Sequence, residues 1–262
     1  MATVLMGVVA GRYEDAHLGY WLDGAGSVTA AALRTPPYGL MSSALDDADA
    51  SAFVAGWLEH DPELPGVNSV LGTARAIAAA YQARTGGSVH RQRSMALHAV
   101  TDVIDPPRPP AGRLRLGARA ERELLIEWWR AFARESGTPG DVAHAVRMVD
   151  ARLDDGGAFV WDDEGAVSVV ALSPPVAGVP RIGPVYTPPA HRRRGYAGVA
   201  VAEVSRRALD AGAGACMLFT DLANATSNKI YAEVGYRRHG DWEEYRFDSP
   251  QAAARDADTT PR

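Results

Sequence analysis

Apolar positions along this chain of 262 residues keep two periods, and the places where one gives way to the other mark its elements. In the later part, Leu124, Leu125, Trp128 and Phe132 recur at helical spacing and predict a helix over residues 119–134. Pro139 can open another that runs to about Leu153. Short apolar runs predict strands at 112–116, 158–161, 166–172 and 180–186, followed by a helix near 195–211, a strand at 215–220 and a helix near 225–234. A last strand pair is expected at 236–239 and 243–247. The earlier part predicts strands near 20–22, 28–33 and 39–42, helices near 46–59 and 69–84, and a strand near 93–103. Hairpins come first and strands alternate with helices later. That order predicts an α/β (α+β) fold with a mixed, mostly antiparallel central sheet flanked by helices.

Four prolines within residues 106–110 interrupt the pattern and favour extended backbone. They predict a linker at 106–111 between a domain at 1–105 and a second at 112–248, with a tail at 249–262 that has no apolar periodicity. The two pieces share a faint repeat. Asp23-Gly24-Ala25-Gly26-Ser27-Val28 and the residues up to Pro36 lie without a gap on the stretch from Asp162 to Pro175, Gly26 falling on Gly165. In both copies an Asp/Gly turn separates an aromatic strand from an apolar one, which is a hairpin signal. A tandem duplication of one fold would produce this, and so would chance likeness between two hairpins.

Composition narrows the class. With 47% hydrophobic and 23% charged residues the chain can bury a core, which excludes disorder, collagen and a disulfide scaffold. A net charge of -5 gives no general attraction to nucleic acid or to an anionic membrane, so any anion site must be local. Cys216 is the one cysteine, which forbids an intrachain disulfide and reads as a small core residue in a reducing compartment. The apolar run at residues 3–10 is too short to span a bilayer and lacks the flanks of a signal peptide, so the protein is read as cytoplasmic.

Two segments carry candidate chemistry. Thr187-Pro188-Pro189-Ala190-His191-Arg192-Arg193-Arg194-Gly195-Tyr196-Ala197-Gly198 joins a strand to a helix. Its small residues allow backbone N–H groups to face a ligand at the helix N-terminus, where unpaired donors favour a phosphate, and three arginines add charge. It matches neither a Walker loop nor a dinucleotide fingerprint. A solvated basic turn is the plain alternative. The second segment places Asn224, Asn228 and Tyr231 on one helical face, two amides and a phenol. Separately, Asn224 could be an N-cap, Asn228 a surface residue and Tyr231 core packing.

In that order the segments resemble the GNAT superfamily of acyl-CoA-dependent N-acetyltransferases. Arg192-Arg193-Arg194-Gly195-Tyr196-Ala197 is similar to its Arg/Gln-x-x-Gly-x-Gly/Ala loop. Asn224 to Tyr231 with Glu233-Val234-Gly235-Tyr236 is similar to its Asn-x-x-x-x-x-x-Tyr-x-x-x-Gly-Phe/Tyr segment. The resemblance covers about 112–247 and is specific over 180–236. It implies acetyl-CoA as cofactor, with Arg192, Arg193, Arg194 and the backbone of Gly195, Tyr196, Ala197 and Gly198 around the pyrophosphate. It implies backbone pairing of Val185 and Thr187 with the pantetheine arm, contacts from Asn224 and Asn228, and proton donation by Tyr231 to the departing thiolate. The implied activity is transfer of an acetyl group by direct attack of an amine, on a small molecule or a protein, without metal, nucleic acid or membrane, in a monomer or homodimer.

One role stays open. Residues 181–186 contain no carboxylate to serve as general base; Asp221, Glu127, His144 and a water relay are the substitutes. Trp128 and Phe132 share a helix face and read as core, whereas Trp129 points elsewhere and reads as a wall of the acceptor pocket. At the offset of the repeat, residues 192–197 fall on 53–58, which hold no basic residue, so the first domain is expected to be a degenerate GNAT-like copy without a cofactor loop. The alternative function is a non-catalytic acyl-CoA-binding or regulatory module.

Overall fold

The computed structural model describes residues 1–13, 15–138 and 141–249. In chain order its elements are α1 (Ala2–Val9), β1 (His17–Leu22), β2 (Val28–Arg34), β3 (Leu40–Ser42), α2 (Ala50–His60), β4 (Gly66–Val70), α3 (Leu71–Thr85), β5 (Ser88–Val100), β6 (Arg113–Leu116), α4 (Arg122–Ser136), α5 (Val142–Asp154), β7 (Ala158–Asp162), β8 (Ala166–Leu172), β9 (Ile182–Tyr186), α6 (Tyr196–Asp210), β10 (Cys216–Asp221), α7 (Ala225–Val234) and β11 (Arg237–Asp248). The expected helix start at Pro139 and the tail from 250 onward lie outside the described residues. The chain forms two compact units, Met1–Ala96 with Gly240–Arg262, and Leu97–His239. The boundaries therefore fall within β5 and within β11, and the proline-rich segment lies inside the second unit. There Trp161 Nε1 of β7 donates to the Ala111 carbonyl at 2.9 Å, and Ile104, just before the prolines, donates its N–H to the Val234 carbonyl at the end of α7 at 2.9 Å, so that both ends of the segment are tied to the unit's own elements.

In the first unit the strands run β1-β2-β3-β4-β11-β5. The Asp23 turn closes the β1–β2 hairpin as its repeat pattern predicts: the Asp23 carboxylate accepts from Ala25 N–H and Ser27 N–H, an Asx arrangement that leaves φ of +83° to Gly26. β3 runs parallel to β4, pairing Leu40 with Val67 and Met41 with Asn68. β4 is antiparallel to β11, from Val70 opposite Trp242 to Gly66 opposite Arg246. Phe53 and Val54 of α2, Ile77 and Tyr81 of α3, and Phe247 of β11 fill the core beneath this sheet, with Tyr81 and Phe247 stacked at 4.1 Å. Glu243 is buried in β11 and satisfied there by Arg75 at 2.9 Å, Arg91 at 3.4 Å and the Tyr245 hydroxyl at 2.7 Å. The hydrogen bond from Arg75 is the main cause that holds its carboxyl down at about 2.

Two expectations change here. Residues 236–239 and 243–247 are one continuous strand, because Gly240 keeps an extended backbone and no turn forms. The predicted helix at 69–84 starts at Leu71, since Gly66–Val70 is a strand that runs straight into α3.

The second unit has the sheet β6-β7-β8-β9, antiparallel throughout. Its two central strands, β7 and β8, are buried on both faces, so they read as apolar runs rather than alternations. Phe159 and Trp161 of β7 join a core with Val199, Ala200, Val201 and Val204 of α6, while Ala158 and Val160 join another with Leu125, Trp128 and Val149 of α4 and α5. Helices thus cover both faces, as expected. Cys216 is a core residue whose thiol burial pushes up to about 11.

Unit by unit, the succession β1-β2-β3-α2-β4-α3-β5 repeats β7-β8-β9-α6-β10-α7-β11. The counterpart of residues 192–197 is then the stretch between β3 and α2, not residues 53–58, which lie within α2. That stretch carries Asp46, Asp47 and Asp49.

Gly66 has φ of +158°, and a Cβ there would stand 2.1 Å from the Tyr245 carbonyl oxygen. Gly66→Ala is expected to cost about 2–3 kcal/mol by forcing β4 off β11, lowering Tm in a thermal melt by ~5–10 °C. An unchanged Tm would contradict this close strand approach.

Candidate functional site

β9 is the last strand of its sheet, and on its far side it meets β10 at a single parallel bridge, Arg181 opposite Met217, with Met217 N–H donating to the Pro180 carbonyl at 3.0 Å. Beyond that bridge, among the described residues, no strand pairs with this edge. Val185 therefore lies on an open backbone edge, half-buried against the α6 core. Thr187 follows it; its hydroxyl lies 2.8 Å from that of Ser168, and its carbonyl accepts from Arg192 Nε at 2.8 Å. The group of Thr187 left for a ligand is its N–H.

The chain then turns through Pro189–His191 into α6. Arg193 has φ of +63° and Gly195 +86°, two left-handed residues within three, which bend the backbone sharply before the helix begins. For Arg193 that conformation costs about 1–2 kcal/mol. The first helical bond here is Val199 N–H to the Gly195 carbonyl at 3.2 Å. Across residues 193–198, no described residue accepts from the backbone amides. A helix start with unpaired donors and partial positive charge can receive an anion.

The three arginines do different things. Arg192 pairs with Glu135 at 2.6 Å and lies over the Tyr186 ring at 5.6 Å. Arg193 and Arg194 are exposed at the helix start, and Arg194 reaches the Tyr196 hydroxyl. The Tyr196 ring is buried in the core, and its hydroxyl donates to Asp163, so this residue offers a ligand only its N–H. Gly198 approaches α7, where a Cβ would lie 3.6 Å from Ile230 Cγ2.

On α7, Asn224 is the N-cap, its Oδ1 accepting from Ser227 N–H at 3.0 Å. Asn228 accepts from Thr220 Oγ1 and donates to the carbonyls of Asp221 at 3.0 Å and Leu222 at 3.3 Å. The amide of Asn228 thus ties α7 to the end of β10, a local role that single-residue reasoning put at the surface. Tyr231 packs against the same core as Val185, edge-on to Tyr236 at 6.0 Å. Burial pushes its phenol up to about 12, so it keeps its proton at any physiological pH.

Among the carboxylate and histidine candidates, Glu127 is exposed on α4 and Asp221 caps Ala223 N–H at 2.8 Å. His144 lines a cavity of about 330 Å³ between α4 and α5, together with Trp129, Phe132 and Val142, and its burial lowers its pKa, keeping it neutral. Trp128 is core, as its position predicts; Phe132, expected beside it, is half-buried and reaches the cavity. Sequence reasoning missed Glu135 and Tyr186. Their signal was present: Glu135 lies one turn beyond Phe132 on the helix face that carries Trp128, and Trp128 meets the Tyr186 ring at 6.5 Å. Among the described residues no group of three or more His, Cys, Asp or Glu side chains could hold a metal ion, and no helix is long and apolar enough to cross a membrane.

Residues 171–247 match the family described as FR47-like protein. Among solved structures, a GCN5-related N-acetyltransferase from Sphaerobacter thermophilus is 16% identical, with a TM-score of 0.64 over 87% of this chain and 79% of that one. One from Kribbella flavida is also 16% identical, with a TM-score of 0.62 over 96% and 95%. A GNAT-family acetyltransferase from Colwellia psychrerythraea is 9% identical, with a TM-score of 0.58 over 88% and 85%. No curated protein matches the chain closely enough to count as a relative. The chain has the fold of the GCN5-related N-acetyltransferases, the mixed, mostly antiparallel sheet flanked by helices that its sequence resembles.

Asn228→Ala removes three local hydrogen bonds and is expected to cost about 1–2 kcal/mol, visible as a Tm lower by ~2–8 °C. A variant with wild-type Tm and weakened ligand binding would make Asn228 a ligand contact instead.

Proposed function

We propose that this protein is an acetyl-CoA-dependent N-acetyltransferase acting on an amine of a small molecule or a protein. The observation that carries the reading is the open edge of β9 leading straight into the amides of residues 193–198, which have no acceptor. An elongated ligand with a diphosphate at one end and amide groups along its length fits both features. The edge of β9 at Val185 and the N–H of Thr187 pair with the arm as an added strand. The amides of 193–198, with Arg193 and Arg194, take the diphosphate, and Gly195 supplies the left-handed backbone, φ of +86°, that turns the chain into α6.

Bound acetyl-CoA supplies an acyl group activated as a thioester. The protein's part is to align the amine, to polarise the carbonyl with a backbone N–H of the open edge, and to give the departing sulfur a proton. Tyr231 suits that last task because burial keeps its phenol protonated. The α4/α5 cavity with Trp129 and Phe132 is the acceptor wall, and neutral His144 in it is the candidate to take the amine's proton, beside a water relay. A free, buried Cys216 agrees with a cytoplasmic setting. A second reading, an acyl-CoA-binding module without turnover, is favoured by the lack of any carboxylate on β9.

A thiol-release assay with acetyl-CoA over amine, aminoglycoside, amino-acid and peptide acceptors separates the two. Release with at least one acceptor supports the enzyme; tight binding with none supports the module. Gly195→Glu puts a charged side chain at a left-handed residue of the loop and is expected to abolish acetyl-CoA binding; unchanged affinity would refute the loop assignment. Tyr231→Phe is expected to lower kcat at least tenfold with little change in cofactor affinity. With its phenol at about 12, Tyr231 should cause no alkaline fall in kcat below about pH 10. Full kcat in the Phe variant would remove Tyr231 from proton transfer.

A further inference from the structure

Glu135 lies on the last turn of α4, and both of its carboxylate oxygens are engaged. Oε1 accepts from the Tyr186 hydroxyl at 3.0 Å, and Oε2 accepts from Arg192 Nη2 at 2.6 Å. Arg192 is held at two further points, by its Nε on the Thr187 carbonyl at 2.8 Å and by the Tyr186 ring under its guanidinium at 5.6 Å. These contacts enclose Thr187, the residue at which the open edge of β9 becomes the loop before α6.

We propose that Glu135 is a positioning residue for acyl-CoA binding, which holds Arg192 as a strut between β9 and the loop instead of leaving it as a phosphate ligand. The inference rests on the acyl-CoA reading of the preceding subsection and changes the role that the sequence resemblance implies for Arg192. A guanidinium matched by a carboxylate at 2.6 Å is locally neutralised and adds little attraction for a diphosphate. Its planar fork fixes geometry instead: one N–H on Thr187 and another on Glu135 set the direction in which the chain leaves the sheet. The charge that meets the diphosphate then comes from Arg193 and Arg194, for which no described carboxylate lies within ion-pair distance, and from the helix start itself.

The two roles for Arg192 predict opposite signs when Glu135 loses its charge. If Arg192 were a phosphate ligand, Glu135→Gln would release it and tighten binding. If it is a strut, the same change loosens the loop and weakens binding.

Calorimetric titration of acetyl-CoA into the full chain decides this, with the wild type, Glu135→Gln, Arg192→Gln, the double variant, Arg192→Lys and Arg193→Gln. Glu135→Gln and Arg192→Gln are each expected to weaken binding about tenfold, and the double variant no more than either alone, as for two halves of one interaction. Arg192→Lys keeps the charge but not the fork and is expected to behave like Arg192→Gln, which keeps the test open if a Glu135 variant fails to fold. Arg193→Gln should add its loss to that of Glu135→Gln. With an accepted amine, KM for acetyl-CoA should rise in Glu135→Gln while kcat stays within about twofold. Binding by Glu135→Gln as tight as wild type or tighter, a double variant with fully additive losses, or near-wild-type affinity in Arg192→Lys would each overturn the proposal. A wild-type chain that binds no acetyl-CoA would instead overturn the functional reading beneath it.

Discussion

Backbone amides without an acceptor are costly unless water or a ligand meets them, and here a run of them sits at one helix start, residues 193–198. The rest of the second unit keeps that run in place. β9 is held as a rail between two cores, packed by α6 and α7 on one side and by α4 and α5 on the other. The left-handed backbone at Gly195, and at Arg193 where it is strained, then brings the chain from the rail into the helix. Glu135 reaches across from α4 to brace the same corner. Strain at Arg193 and unpaired donors at the same corner are what the proposed ligand site rests on.

The two units show how a repeated topology can hold different chemistry. Both place a helix after the third strand of a meander, and both set the next strand parallel to that third one. In the first unit that parallel pair is laddered at two positions, and the helix start is preceded by Asp46, Asp47 and Asp49. Those carboxylates meet the positive end of their own helix and would repel a phosphate. In the second unit the pair touches at one bridge, and arginines stand at the corresponding place. The first unit is therefore proposed to be a worn copy without a cofactor site. Its sheet is completed by residues 240–248 from the far end of the chain, so it depends on a segment the sequence assigns to the other domain.

What was legible in the sequence is what local pattern encodes. The β7–β8 hairpin, α6 and α7 follow from turn chemistry and periodicity, and the Arg192 to Ala197 loop is found where the helix begins. β4 was not legible: Gly66-Val67-Asn68-Ser69-Val70 is short, runs into a helix without a turn, and is defined by its pairing with residues near 245. The proline run reads as a linker because prolines lack donors, yet it is pinned by Trp161, a contact that spacing cannot reveal. Within the candidate site, the small residues of the loop were readable, but the commitment of Asn228 to β10 and of Arg192 to Glu135 were not. Both depend on what the fold brings next to them, across eight residues in one case and fifty-seven in the other.

Hydrogen exchange of the full chain with and without acetyl-CoA tests the central claim most directly, because it reads the amides themselves. The account predicts that residues 193–198 exchange freely alone and become protected on adding acetyl-CoA, while the stretch of residues 43–49 in the first unit does not change. Amides at 193–198 that exchange equally fast at saturating acetyl-CoA, or protection that appears at 43–49 instead, would contradict it.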